Sequence, residues 1–427
     1  MKAFSRKLDD LQRREFLAGA ATASLGVSIL PGPLSAETKP GGYVKPLNPK
    51  AKNVIFIYMN GGMSHLDTFD PKSDSDVKGV SEPIATNAPG LKISSLLPNL
   101  AKHGDKLAII RTMGQKTGAH DQAKYQMHTG YAMRPGTNHP QLGSWAQYFL
   151  GRRNRTMPDS VLVNSGNPGP GFFPPDHAPF PLGDAAKGIK DLLPKIPTET
   201  FNHRIQLAQR FSRVFEQYFP HEDVRSYAQF YDETVKFFDD ETVSAFDVNK
   251  ESKAARDLYG SSKFGNGLLL ARRLVEHNVR YVEVAHGSWD GMHNGMAAGE
   301  QRAGEIDEPI AALLQDLHQR GLLKDTMVVI TTEFGRTPKI NARGGRDHFP
   351  TTFSAVLAGG GVNGGQFIGV TDEKGTKKKE GDTVSAADLH CTIAFALGLP
   401  LEDRIHGSGG RPFFVGNQGN VVKQAFA

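Results

Sequence analysis

An unbroken apolar run, Met327-Val328-Val329-Ile330-Thr331-Thr332, leaves few folds open to this chain. It is rich in β-branched residues, and no polar residue alternates through it to meet water. Strands of this kind are buried on both faces, as in parallel sheets covered by helices. Asn53-Val54-Ile55-Phe56-Ile57-Tyr58-Met59 reads the same way. Between such runs lie stretches at helical spacing, including Gln141 to Gly151, Phe264 to Asn278, Glu305 to Gln319 and Ser385 to Leu397. Alternating strands and helices predict an α/β fold with a mostly parallel central sheet and helices on both faces. No internal repeat is visible, and 427 residues fit one elaborated unit. Aromatic, mixed-charge helical spacing from Phe201 to Phe246 predicts a helical insertion, spanning about residues 185–262.

Ligands of open α/β sheets gather at the carboxyl ends of the strands. After the first strand come Asn60-Gly61-Gly62 and then Ser64, His65, Asp67, Thr68 and Asp70. The glycines permit a tight turn, and the oxygens and imidazole that follow suit a metal or anion site; Asp67 and Asp70 also suit helix caps. After a strand over Lys106–Arg111, His120 stands at a helix start, where the macrodipole favours an anion, although a lone histidine is also commonly structural. After Arg280–Ala285, Asp290 and His293 form a carboxylate–imidazole pair that Trp289 would shield from water. The opening run ends at Glu333, followed by Asp347-His348, with Arg336 and Arg346 available to hold an anionic oxygen.

The beginning of the chain reads as a targeting segment. Arg13-Arg14 precedes a modestly apolar run from Ala18 to Leu30, and Ser35-Ala36 offers a cleavage end. Paired arginines before a weak apolar run resemble a twin-arginine (Tat) signal over residues 1–36, with a Pro/Gly-rich linker over 37–52 and the α/β domain over 53–427. The run is too short and too polar for a comfortable span, so no stable membrane span is expected after cleavage. The Tat export machinery is the expected partner, and the periplasm or the exterior the expected destination. A single cysteine, Cys391, excludes an internal disulfide and sits in an apolar run that reads as core. The formal charge of +5 is too mild to argue for a nucleic-acid partner.

The segment GGMSHLDTFDPK, the His120–Gly130 stretch ending in Thr-Gly, WDGMH, TTEFGRTP and GRDH together resemble the bacterial family catalogued as domain of unknown function 1501. The resemblance covers nearly the whole chain beyond the signal and implies an alkaline phosphatase/sulfatase-like fold. It places Asn60 where an aspartate usually binds metal, and His120 at the nucleophile position. Asp290 and His293 match an Asp–His metal pair with one residue fewer between them. Glu333-Phe334 replaces an Asp-His, and His348 matches a late metal histidine with Asp347 beside it. Phe334 and Asn60 weaken a second site, so the resemblance implies one metal, or a weak two-metal centre using His65, Asp67 and Glu333.

These readings predict an exported hydrolase of phosphate or sulfate esters, acting on a small-molecule or glycan ester. It would use a divalent ion (zinc, manganese or calcium). His120 and Arg336 are the expected catalytic residues, and Arg346 and Trp289 the expected substrate contacts. Formylglycine chemistry is excluded, because Cys391 is not in a Cys-x-Pro-x-Arg setting. The missing hydroxyl nucleophile keeps a non-catalytic binder of metal, anion or glycan as the alternative. Asn60-Gly61-Gly62 lacks the later glycine spacing of a dinucleotide fingerprint, which leaves an oxidoreductase with only the signal behind it.

Overall fold

The computed structural model describes residues 46–426 apart from 75, 155, 167, 190–195, 220–223, 225–236, 238–240 and 408–409. The expected signal over 1–36, most of the linker and part of the expected insertion lie outside the described residues. The central sheet has eight strands: β1 (Asn53–Met59), β2 (Ala108–Met113), β3 (Ser160–Val163), β4 (Phe180–Leu182), β5 (Tyr281–His286), β6 (Thr326–Thr331), β7 (Phe353–Ala358) and β8 (Gln366–Ile368). Their order is β8-β2-β7-β6-β1-β5-β3-β4. The helices are α1 (His120–Thr129), α2 (Leu142–Leu150), α3 (Thr198–Tyr218), α4 (Lys253–Tyr259), α5 (Lys263–Glu276), α6 (Met296–Gln319) and α7 (Ala386–Leu397).

Every residue of β1 and β6 is buried, as their composition requires. Alternate side chains feed two cores. Val54 and Phe56 join Met327, Val329 and Leu357 beneath residues of α1, α2 and α7. Ile55, Ile57 and Met59 join Val282, Val328 and Ile330 beneath residues of α5 and α6. The strands β6, β1, β5, β3 and β4 run parallel in register, so their carboxyl ends share one rim.

One strand departs from the parallel pattern. β7 is antiparallel to both neighbours, β6 and β2. Parallel neighbours need a crossover connection, usually a helix. Residues 332–352 contain no helix and stay at the rim, so the next strand can only run back. A short antiparallel ladder in this excursion, Gly335–Arg336 against His348–Phe349, pairs Arg336 with His348.

Other boundaries moved for local reasons. The helix expected from Glu305 begins at Met296, because the alanine-rich stretch after Gly295 continues it. Gln366–Ile368, which carry no strand signal of their own, form β8 and add to the sheet edge beside β2. Asp388 forms a capping box with Ser385. His390 is buried; its Nε2–H donates to the Met127 carbonyl, and burial pushes its pKa down to about 4. Cys391 is buried, and its thiol is pushed up to about 11 by burial, which makes it a core residue. Among the described residues, no helix is long and apolar enough to cross a membrane.

Phe56 lies at the centre of this sheet and is 1% exposed. Phe56→Ala should cost about 3–5 kcal/mol, read as a lower denaturation midpoint with an unchanged slope.

Candidate metal centre

Four strand ends and one helix start meet at the rim. β1 ends at Met59 and turns through Asn60, Gly61 and Gly62. Gly61 has φ 115°, and a Cβ there would stand 2.6 Å from the Asp290 backbone nitrogen. A Cβ at Gly62, with φ 78°, would stand 2.6 Å from the Phe334 ring. Only glycine permits both approaches, and through them the loops after β1, β5 and β6 close on one another.

Glu333, just beyond β6, is fully buried. Its Oε1 accepts from the Gly61 N–H at 2.9 Å and from His120 Nδ1–H at 2.8 Å. Its Oε2 accepts from the Tyr58 hydroxyl at 2.9 Å and from Thr332 Oγ1 at 3.2 Å. Burial alone would raise this carboxyl, but the bonds from His120 and Tyr58 outweigh it and hold the group below its usual range. The same carboxylate raises the pKa of His120, against the lowering effect of burial and with help from Asp290.

His120 Nε2, Asp290 and His348 then converge, with one donor atom of each within 4.8 Å of the others. Asp290 Oδ1 lies 2.9 Å from His348 Nε2 and 3.3 Å from His120 Nε2. His348 Nδ1–H donates to the Gly118 carbonyl at 2.9 Å. The Nδ1 of each ring is thus committed elsewhere, and each Nε2 faces the carboxylate. Arg336, fully buried, donates from Nη2 to Asp290 Oδ1 at 2.8 Å and from Nε to the Gly62 carbonyl at 2.8 Å. Burial raises the Asp290 carboxyl, but Arg336 and His348 hold it well below the usual range. The Phe334 ring walls the site, with its centroid 4.9 Å from His120 and 4.6 Å from His348.

A family model described as "Protein of unknown function (DUF1501)" matches residues 51–426. The chain belongs to the DUF1501 family. No curated protein is similar enough to count as a match. Among solved structures, this DUF1501 protein is similar to the PsFucS1 sulfatase from Pseudoalteromonas sp., at 11% identity and TM-score 0.41, over 88% of this chain and 71% of that one. It is also similar to a putative sulfatase from Bacteroides thetaiotaomicron, at 8% identity and TM-score 0.39, over 88% and 75%. The alkaline phosphatase from the Antarctic bacterium TAB5 matches at 12% identity and TM-score 0.34, over 74% and 92%. At these scores the likeness stays general, and the architecture rests on the strand order described above.

The DUF1501 sequence motifs divide into those that reach the centre and those that do not. His120 is the largest shift of role: expected as nucleophile or acid/base, it stands with Asp290 and His348 in a ligand-like group. His293 is one ring further out, 6.0 Å from His348 by centroids, with Nδ1 2.9 Å from Asp347 Oδ1 and Arg343 against its Nε2. Asn60 Oδ1 is buried at the end of β1 with no hydrogen-bond partner.

Five expectations need correction. His65, expected as a ligand, is buried and hydrogen-bonds to the Gly375 carbonyl at 2.9 Å. Asp67, also expected as a ligand, pairs with Arg346 at 2.9 Å, and both are buried. Arg346 was expected to touch substrate, but it spends its remaining N–H groups on the carbonyls of Val77, Thr337 and Pro338. Trp289, the expected shield, is buried in the core, and its indole N–H goes to His286. Arg336, expected to act on substrate, has its guanidinium filled by backbone carbonyls and Asp290, which makes it a holder of that carboxylate. Density of polar residues after β1 suggested ligands, whereas a buried ion pair needed several of them.

Tyr58 was missed as a partner of Glu333. It is the one hydroxyl-bearing residue in an otherwise apolar part of β1, and it pairs in register with Thr331, two residues before Glu333. That pairing puts both side chains on one face.

Asp67→Ala leaves Arg346 buried and unpaired. The variant should lose about 3–5 kcal/mol of stability in chemical denaturation.

Proposed function

We propose that this protein is an exported metal-dependent hydrolase of phosphate or sulfate esters. One observation carries the reading. With Nδ1–H of His120 given to Glu333 and Nδ1–H of His348 given to Gly118, neutral rings aim two nitrogen lone pairs at the Asp290 oxygen. Three lone pairs facing one another repel, and a cation or bound protons must lie among them. The donor set of two imidazoles and one carboxylate suits a divalent transition ion with an open position. His120 Nε2, which has no hydrogen-bond partner although it stands 3.3 Å from Asp290 Oδ1, fits the same demand.

His120, Asp290 and His348 would hold the ion, zinc or manganese being better suited to imidazole than calcium. When bound, it supplies a Lewis acid for the ester oxygen and lowers the pKa of a coordinated water toward ~7. Glu333 fixes the tautomer and tilt of His120, and the Gly118 carbonyl does the same for His348. Arg336 holds Asp290 charged and in place. Arg343, with 55% of its side chain exposed beside His293 and Asp347, is the cation available to an anionic ester at the mouth. A small-molecule or glycan ester is the substrate class that suits this mouth.

The second reading, a non-catalytic protein that binds metal, anion or glycan, is favoured by one feature. The three ligand-like residues include no hydroxyl nucleophile, and His120 is tied to Glu333.

Purified protein loaded with zinc or manganese should retain one ion per chain. Asp290→Ala and His348→Ala should abolish retention, and Glu333→Gln should weaken it about 10–100-fold. Affinity should fall as pH drops through the raised pKa of His120, because the proton and the metal compete for Nε2. Loaded protein should turn over aryl phosphates or aryl sulfates. Retention without turnover selects the binding role, and no retention at neutral pH rejects the hydrolase and any metal-binding role.

We further propose that residues 1–36 direct export through the Tat pathway to the periplasm or beyond. Arg13→Lys with Arg14→Lys should trap the precursor in the cytoplasmic fraction; unchanged export rejects the route.

A further inference from the structure

The excursion between β6 and β7 carries an asparagine whose bonds are all spoken for. Asn341 Nδ2 donates to the His293 carbonyl at 3.0 Å and to Asp347 Oδ1 at 2.9 Å. Its Oδ1 accepts from the Arg343 N–H at 2.9 Å and from the Gly345 N–H at 3.0 Å. A primary amide has two N–H groups and two lone pairs, so this side chain is saturated. The backbone closes around it too. The Asn341 N–H donates to the Gly345 carbonyl at 2.8 Å, and the Gly344 N–H to the Asn341 carbonyl at 3.0 Å. Residues 341–345 thus form a small ring, with Arg343 exposed at its edge.

The ring is fastened to the turn that follows β5. Besides the bond to the His293 carbonyl, the Met296 N–H donates to the Gly344 carbonyl at 3.1 Å and the Arg346 N–H to the Met292 carbonyl at 2.9 Å. Arg343 Nη2–H donates to His293 Nε2, which leaves the proton of that neutral ring on Nδ1, facing Asp347 Oδ1 at 2.9 Å. The same Asp347 oxygen takes an Asn341 N–H. Asn341 therefore holds Arg343 at two points: directly at its backbone N–H, and through Asp347 and His293 at its guanidinium. The metal-facing side chains have braces of their own. Glu333 holds His120, Arg336 holds Asp290, and the Gly118 carbonyl holds His348. A free arginine loses rotamer freedom when it grips an anion, and holding it in place beforehand lowers that cost.

We propose that Asn341 is a positioning residue that presents Arg343 to the anionic group of the substrate. The proposal rests on the reading of Arg343 as the cation at the mouth. Asn341 acts on anion affinity, while metal affinity is left to the braces of the three ligand-like residues.

The test is a double-mutant cycle on affinity for inorganic phosphate and inorganic sulfate, read by titration calorimetry with and without bound zinc. Arg343→Ala should weaken the better-bound anion about tenfold, the loss of a charge-assisted contact. Asn341→Ala should cost about three- to tenfold when Arg343 is present and almost nothing when it is already alanine, because the two act as a unit. Zinc retention by Asn341→Ala should match the parent. Where the loaded protein turns over 4-nitrophenyl phosphate, the Asn341→Ala loss should fall on KM, with kcat kept. Equal Asn341→Ala losses in the two backgrounds overturn the proposal and make Asn341 a brace of the loop alone. An Asn341→Ala variant with the parent's affinity overturns it, as does a parent that binds neither anion. Should Asn341→Ala fail to fold, Asn341→Gln, one methylene too long to keep all four bonds, runs the same cycle. A parent that retains no zinc removes the metal centre but leaves this proposal standing or falling on the metal-free cycle, since Arg343 is not among the ligand-like residues.

Discussion

A buried carboxylate holds the rim together. Glu333 takes hydrogen bonds from the β1 strand through Tyr58, from the turn after it through Gly61, and from the start of α1 through His120. An unpaired charge at a fully buried position would cost several kcal/mol, so each donor is needed to keep the group ionised there. Because the donors come from separate elements, satisfying the charge also fixes where those elements end. The geometry of His120 follows from this, since its ring has no freedom once Nδ1–H is spoken for. Arg336 does the equivalent for Asp290 from the other side, anchored on the carbonyls of Gly61 and Gly62.

Much of the fold was legible in the sequence because burial on both faces leaves a plain mark. β1, β2, β5 and β6 stand close to where the sequence placed them, and α5 and α7 end near their periodic stretches. The antiparallel β7 was not legible. Strand direction depends on where the preceding connection travels, and Phe353-Ser354-Ala355-Val356-Leu357 reads alike in either sense. The missed early turns of α6 show the reverse weakness: Met296-Ala297-Ala298-Gly299 carries helix propensity but little apolar periodicity.

The site was half legible. Asp290, Glu333 and His348 stand at strand ends in loops whose residue types announce polar chemistry, and the centre does contain or adjoin them. Local density misled for His65 and Asp67. A short polar run after a strand looks the same whether its carboxylate faces a ligand or a buried arginine, and Arg346 lies far away in sequence. The converse held for Tyr58, whose meaning depends on a register partner in another strand. Pairwise satisfaction of charge is a property of the folded interior, and single-sequence spacing reports it poorly.

The reversal at β7 has a further implication. Residues 332–352 leave β6 and return in β7, its hydrogen-bonded neighbour, so this excursion begins and ends on adjacent feet. It carries Glu333, Arg336, Arg343, Asp347 and His348. Between the feet anchored by Glu333, Arg336 and Arg346, the stretch around Arg343 can lengthen, shorten or be exchanged between related proteins without asking the sheet to rearrange. The mouth of the centre is thereby the part of the molecule most open to diversification, while the wall built from β1 and α1 stays put.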